Sequence, residues 1–139
     1  NNVPSIWSGI EISSLLSNCL VHIIGLGFNT SHDSLKPYIN NEAAVGSSLS
    51  ASSVISAIHE AGGLAILAHP ARYRLPYDLL IEKAMLVGID AIETWYDYDY
   101  KVSWSPSLFI CGKIREKAME YNLLSTCGTD SHGVELTSR

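Results

Sequence analysis

The sequence predicts a single α/β domain built from β-α-β units around a parallel sheet. Short apolar runs typical of buried strands alternate with segments of helical periodicity. Glycines end the helical segments, and polar side chains follow directly after several strands. The chain has 139 residues, of which 47% are hydrophobic and 17% are charged. This length and composition suit one domain with one core, and periodicity leaves open whether the sheet is open or closed into a barrel.

The N-terminal part predicts two strands joined by a turn. Residues 6–14 carry isoleucines that lead into a serine pair, and residues 20–28 are rich in β-forming side chains. The dipeptide Ser17-Asn18 between them has the composition of a tight turn. Residues 30–33 offer helix-capping side chains ahead of a short segment that Pro37 interrupts.

The next segment predicts an internal boundary and then a helix. Residues 40–53 are dominated by Asn, Ala, Ser and Gly, and we interpret them as an internal linker or loop within one domain covering residues 1–139. Apolar side chains recur at helical spacing over residues 51–61. The pair Gly62-Gly63 then ends this helix.

The remaining chain alternates strand and helix. Residues 64–68 are a short apolar run suited to a buried strand, and Pro76 begins a helix that ends before Gly88. Residues 90–94 predict another strand, and residues 95–106 form a long aromatic loop. The last helix and strand are marked by Cys111, Ile114, Ala118 and Tyr121 on one helical face and by residues 123–127.

Five side chains of the kinds that bind hard divalent metals fall in or directly after these strands. Glu11 and His22 interrupt apolar runs in the first two strands, His69 follows the third, and Asp130 and His132 follow the last. In parallel α/β folds, functional side chains gather at the carboxyl ends of the strands. The sequence therefore predicts one metal site to which several strands contribute.

Each of these residues also has a purely structural interpretation. Glu11 suits an exposed strand position, His22 suits a hydrogen-bonded core histidine, and His69 suits a loop. Asp130 and His132 lie in a run with strong turn composition. The joint pattern favours the metal site, whereas His32 and His59 are expected to be a turn residue and a helix-boundary residue.

Composition and missing motifs exclude several other functions. The formal net charge is −5, which argues against non-specific nucleic-acid binding through a basic surface. The sequence contains no Walker A loop and no Gly-x-Ser-x-Gly elbow, and Gly25-Leu26-Gly27 lacks the third glycine of a dinucleotide site. The three cysteines form no Cys-x-x-Cys pair and lie in apolar surroundings, which favours buried free thiols. The sequence also shows no apolar run of membrane-spanning length and no secretory signal, so we expect a cytoplasmic location.

Four blocks of the sequence, in this order, resemble the PHP (polymerase and histidinol phosphatase) superfamily. They are Gly9-Ile10-Glu11-Ile12-Ser13, Val21-His22-Ile23-Ile24-Gly25, Ala68-His69-Pro70-Ala71-Arg72 and Gly128-Thr129-Asp130-Ser131-His132. The branch most similar is the stand-alone metal-dependent phosphoesterases that act on nucleotides and RNA ends. The resemblance implies a distorted (β/α)7 barrel, related to the TIM barrel, with two or three divalent metals at the strand ends.

The resemblance also implies individual roles. Glu11 matches a glutamate that bridges two metals, and His22 and His69 match histidines that complete one of them. Asp130 matches a ligand of the first metal and His132 a ligand of the third. Arg72 matches a position near the phosphate, where a guanidinium could hold oxygens in a bidentate manner. Such mixed ligands accept Mn, Zn or Fe.

The sequence departs from this family at its beginning. The family opens with a His-x-His strand, a nearby Asp and a later Asp-His pair, and none of them is present. The chain begins with Asn1 rather than Met, so we expect these elements upstream in a longer parent, and a partial barrel that lacks its first strands. The present chain would then hold about one metal and be weakly active or inactive.

Three functions therefore remain open. The first is a phosphoesterase or nuclease that uses metal-activated water to hydrolyse a phosphorylated small molecule, a nucleotide or an oligonucleotide end. The second is a catalytically dead PHP-like remnant whose aromatic loop binds a partner, although that loop also suits a lid over the barrel mouth. The third is another metal hydrolase, such as an amidohydrolase, whose pattern the later blocks fit less well.

Overall fold

One five-stranded sheet organises the fold, with the strands in the order β1-β2-β3-β4-β5. The structure is a computed structural model that describes residues 3–39 and 44–135. The strands are β1 (Gly9–Leu16), β2 (Cys19–Leu26), β3 (Leu64–Leu67), β4 (Ala91–Trp95) and β5 (Leu124–Cys127). The helices are α1 (Lys36–Ile39), α2 (Ala51–Glu60), α3 (Tyr77–Leu86) and α4 (Leu108–Glu120). The expected α/β architecture is confirmed.

The sheet is mixed rather than wholly parallel. β3, β4 and β5 are parallel to one another, as the β-α-β pattern predicts, whereas β2 is antiparallel to both β1 and β3. β1 and β2 form a tight hairpin because only Ser17 and Asn18 separate them, both with positive φ, at 50° and 58°. Two successive residues with positive φ match the right-handed twist of a hairpin, and asparagine tolerates this conformation well.

The helices cover one face of the sheet and build the core there. Every second side chain of each hairpin strand points toward the helices. Ile12 of β1 and Ile23 of β2, for example, are buried in one cluster with Ile58 of α2, Leu80 of α3 and Ile114 of α4. Burying a side chain of this size contributes roughly 1.5–3 kcal/mol to folding. The period of two along a strand therefore leaves Glu11 and His22 on the opposite face of the sheet.

Special backbone conformations end the helices and shape the connections. Gly62 has φ of +80° and Gly88 has φ of +92°, which an L side chain rarely adopts, so each glycine ends the helix before it. Of the expected linker at residues 40–53, residues 40–43 lie outside the described part of the chain. Residues 46–49 form a 3₁₀ turn, and Ser50 caps α2 by accepting a hydrogen bond from the Ser53 amide.

The structure corrects the expectation that all three cysteines are buried, and it adds detail to the aromatic loop. Cys19 and Cys111 are buried free thiols as expected, but Cys127 is exposed because β5 is an edge strand of the described sheet. The aromatic loop between β4 and α4 is braced internally, since the buried Asp97 accepts hydrogen bonds from the Asp99 and Lys101 amides. Within residues 3–39 and 44–135, no helix is long and apolar enough to cross a membrane.

Candidate metal centre

Three of the five predicted ligands converge on the sheet face opposite the helices. Glu11, His22 and His69 each offer one ligand atom, and these atoms all lie within 4.8 Å of one another. Glu11 and His22 meet as a diagonal pair across the hairpin, because Glu11 faces Ile24 in the β1–β2 register and His22 lies two residues before Ile24. His69 arrives from the end of β3, where the Ala68 amide donates to the His22 carbonyl oxygen.

The Glu11–His22 contact favours opposite charges on the two side chains. Nδ1 of His22 lies 2.7 Å from Oε1 of Glu11. This contact lowers the pKa of Glu11 and raises the pKa of His22, and in both cases it outweighs the opposing effect of burial. A proton on His22 therefore competes directly with a metal for the same pair of side chains.

His69 behaves in the opposite way. Its side chain is 3% exposed, and burial together with the positive charge of Arg72 lowers its pKa from 6.5 to about 4. The imidazole is therefore neutral at pH 7, which is the form that binds metals. Its backbone lies in the left-handed region, with φ of 25° and ψ of 63°, a conformation that costs a non-glycine residue about 1–3 kcal/mol.

Aromatic side chains and one hydroxyl hold the two imidazoles in place. The His22 amide donates a 2.8 Å hydrogen bond to the Tyr73 hydroxyl oxygen. The two histidine rings pack edge to face with centroids 5.4 Å apart, and the rings of Tyr73 and Tyr96 lie 5.4 Å and 5.3 Å from that of His69. The His69 imidazole is thus buried among packed rings, whereas the His22 side chain remains partly exposed.

The donor set and its unmet hydrogen-bonding capacity fit a divalent cation. Nδ1 of His69 is buried and has no hydrogen-bond partner among the described residues, whereas Nδ1 of His22 is buried against the Glu11 carboxylate, 2.7 Å away. A buried polar atom left unpaired is costly, and a bound cation would remove that cost. One carboxylate and two imidazoles are also the ligands of many catalytic zinc sites, which keep a coordination position open.

The other predicted site residues form a second, adjacent cluster. Nη1 of Arg72 lies 2.6 Å from Oδ2 of Asp130 and donates a 2.8 Å hydrogen bond to the Tyr96 hydroxyl. Tyr96 in turn donates to Oδ2 of Asp130 at 2.8 Å. Burial alone would raise the pKa of Asp130, but the Tyr96 hydrogen bond and nearby positive charges, including Arg72, outweigh it and lower the pKa.

Asp130 and His132 do not join the three converging ligands in the described part of the chain. Asp130 acts electrostatically on all three of them but contacts Arg72 and Tyr96. The His132 side chain is 87% exposed, with Nδ1 2.9 Å from the Asp130 carbonyl oxygen. Together with Arg72 and Tyr100 they line an open cavity of about 440 Å³.

Sequence reasoning missed three residues that shape this centre. The sequence places Tyr96 only in an aromatic loop, although it is fully buried and joins Arg72 to Asp130. The sequence indicates no role for Tyr73. Glu93 falls within the strand predicted at residues 90–94, yet its carboxylate accepts a hydrogen bond from the His69 amide. The signal that identifies it is a carboxylate in the middle of the buried strand β4, where an acidic side chain needs a specific partner.

Two solved structures share this fold. One is an amidohydrolase from Chromobacterium violaceum with bound sulfate and no metal, with a TM-score of 0.72 and 18% identity over 96% of this chain and 70% of that one. The other is a candidate metal-dependent phosphoesterase from Bifidobacterium adolescentis, with a TM-score of 0.65 and 17% identity over 95% of this chain and 72% of that one. No family model matches the chain. No curated protein matches it either.

The comparisons establish the fold of the chain and no particular protein. At these identities the likeness shows the fold alone, and that fold is one found in metal-dependent hydrolases. Glu11, His22 and His69 form a candidate metal site, which agrees with that fold.

Proposed function

We propose that this chain is part of a PHP-type metal-dependent phosphoesterase. The observation that carries the proposal is the convergence of Glu11, His22 and His69 within 4.8 Å, with a buried His69 Nδ1 that has no hydrogen-bond partner among the described residues. The likeness to a candidate metal-dependent phosphoesterase supports the choice of reaction. The four sequence blocks that resemble the PHP superfamily contain all three residues, and they support a partial barrel of that type.

Arg72 is the residue we assign to the phosphate. It lines the open cavity beside the metal-binding residues. The side-chain hydrogen bonds described for Arg72, to Asp130 and Tyr96, both use Nη1, and the guanidinium also lies over the rings of Tyr96 and Tyr100. A guanidinium carries five N–H donors in a fixed fork, so Arg72 can bind phosphoryl oxygens with the others while Asp130 fixes its orientation.

The remaining residues act as ligands and orienting groups. Glu11, His22 and His69 would hold a divalent cation such as Mn, Zn or Fe, and Asp130 and His132 would contribute to further metals of a complete site. A bound cation supplies Lewis-acid polarisation of the phosphate ester and lowers the pKa of a water. The neutral state of His69, maintained by burial, keeps it ready to bind at pH 7. The substrate class is a phosphorylated small molecule, a nucleotide or an oligonucleotide end, encountered in the cytoplasm.

We expect weak or no turnover from residues 1–139 alone. The described residues bring together one carboxylate and two imidazoles, whereas two-metal phosphoryl transfer clamps both the attacking and the leaving oxygen. The alternative of a catalytically dead binding module finds less support, because Tyr96 of the aromatic loop is buried and Trp104 donates to the Gly128 carbonyl oxygen.

The test compares protein expressed from the complete coding sequence with two single variants. Metal content and hydrolysis of p-nitrophenyl phosphate and nucleoside monophosphates are measured for the unaltered protein, His69→Ala and His59→Ala. His59 is the matched control, because it pairs with Asp90 outside the metal-binding group. We expect His69→Ala to lose bound metal and phosphatase activity while His59→Ala keeps both. Absence of metal in the unaltered protein, or full activity in His69→Ala, would refute the proposal.

A further inference from the structure

A buried carboxylate lies directly behind the metal-binding residues without belonging to them. Glu93 is 4% exposed, and its Oε2 accepts a 2.8 Å hydrogen bond from the His69 amide. Glu93 lies on β4 and His69 follows β3, so the bond links two adjacent parallel strands at the point where the chain turns toward the site. Burying a carboxylate is costly unless it has a specific partner, so this placement calls for an explanation.

Gly128 gives the carboxylate its space. A Cβ built at position 128 would overlap Oε1 of Glu93. Gly128 is not among the glycines with positive φ, so the backbone there does not itself require glycine. What requires it is room for the Glu93 side chain. The end of β5 is therefore shaped around a residue of β4, and the segments that follow β3 and β5 meet at this carboxylate.

The conformation of His69 explains why such a contact is needed. A non-glycine residue with φ of 25° persists only where its surroundings hold it there. The residue that follows is Pro70, and a proline further restricts the backbone of the residue before it. The Glu93 carboxylate takes up the His69 N–H, which fixes the backbone from which the imidazole reaches toward Glu11 and His22.

We propose that Glu93 is a positioning residue for the metal centre, and that Gly128 serves it by leaving its carboxylate room. Glu93 acts through the His69 backbone and touches neither metal nor substrate. The inference rests on the proposed metal-dependent function. Partners that orient a ligand in this way typically affect metal affinity by about 10–100-fold when they are removed.

The experiment measures Zn²⁺ affinity of the full chain by titration against a chelator of known affinity. Glu93→Ala is expected to weaken binding by about 10–100-fold. Glu93→Gln should bind more tightly than Glu93→Ala, because an amide oxygen still accepts from the His69 amide. Gly128→Ala should resemble Glu93→Ala, since it displaces the carboxylate. The matched control is Gly112→Ala, at a helical glycine whose added Cβ meets nothing within 4 Å, and it should bind as the unaltered chain does.

A double variant separates positioning from general damage. Once the carboxylate is absent, a methyl group at position 128 has nothing to displace, so Glu93→Ala/Gly128→Ala should bind Zn²⁺ no more weakly than Glu93→Ala. In metal-free protein, the His69 amide proton should move upfield in both single variants, as observed by NMR. Gly128→Ala leaves the Glu93 carboxylate chemically intact, so its Zn²⁺ affinity tests the inference if Glu93→Ala does not fold.

Three outcomes would overturn the inference, and the first two also distinguish its failure from that of the proposed function. In the first outcome, the unaltered chain binds Zn²⁺ and the Glu93→Ala variant binds Zn²⁺ equally well. The positioning role is then wrong and the proposed function stands. If Glu93→Ala does not fold, the same comparison is made with Gly128→Ala. If the unaltered chain binds no Zn²⁺, the proposed function and the positioning role both fail. Additive losses in the double variant would also contradict the coupling between Glu93 and Gly128.

Discussion

Acidification should destabilise the metal-free protein through His69. The pKa of this buried imidazole is about 4, against 6.5 for an ordinary histidine. Between these values the unfolded chain binds a proton at His69 that the folded chain does not, so stability falls as the pH falls. Each pH unit in the window costs about 1.4 kcal/mol, so lowering the pH from 7.5 to 4.5 should remove about 2.5 kcal/mol from the free energy of unfolding.

The other two side chains of the centre act outside this window. The pKa of His22 is raised, so its contribution is complete below 6.5 and is lost as the pH rises above that value. The pKa of Glu11 is lowered from 4.5, so its contribution is lost only as the pH falls below 4.5. The effect between pH 4.5 and 6.5 can therefore be assigned to His69 among these three.

The assay is urea unfolding with EDTA present, on the unaltered chain and on the non-titrating variant His69→Gln. The difference between their free energies of unfolding should change by about 2.5 kcal/mol between pH 7.5 and 4.5. An NMR titration of the His69 ring, which should give a pKa near 4, provides an independent check. Parallel stability profiles for the two proteins across this range would refute the reasoning.

Three further changes test the packing and electrostatics of the fold by the same unfolding measurement. Ile58→Ala removes a fully buried side chain from α2 and should cost about 2–5 kcal/mol; a loss below 1 kcal/mol would contradict the assigned core. Asp90→Ala deprives the Ala65 amide and His59 of a carboxylate that lies 2.7 Å from each and should cost roughly 1–3 kcal/mol, and an unchanged midpoint would show the contacts to be unimportant. Gly112→Ala should add about 0.5–1 kcal/mol, because the site within α4 is open and glycine disfavours helix, and destabilisation there would argue against the helix packing.

Helix-ending glycines and turn residues made several elements predictable from the sequence. Gly62 and Gly88 end α2 and α3 with positive φ, and Ser17-Asn18 closes the hairpin. The apolar periodicity of residues 51–61 placed α2 within one residue of its end at Glu60. These signals act over a few residues, so a single sequence carries them completely.

Pairing direction and exposure were harder to predict because they depend on distant parts of the chain. The residues of β2 do not indicate that this strand pairs antiparallel with β3, which begins about forty residues further along the chain. Cys127 sits in an apolar run, yet it is exposed because β5 is an edge of the described sheet. Strand neighbours, rather than the strand's own residues, decide both properties.

The candidate site was predictable as a set of residue types but not as a geometry. Glu11 and His22 were identifiable because each interrupts an apolar run, and His69 because it follows a strand. The roles of Tyr96 and Glu93 depend on contacts across 34 and 24 positions of the chain, to Asp130 and His69 respectively. Such contacts exist only once the fold has brought the strand ends together.

The central claim is that Glu11, His22 and His69 hold a divalent cation. The most direct test is anomalous diffraction at the zinc edge from crystals of the chain grown with Zn²⁺. We predict an anomalous peak about 2.0–2.2 Å from one Glu11 oxygen and from one nitrogen each of His22 and His69. The account would be contradicted if zinc bound only at other residues and no anomalous peak lay among these three side chains.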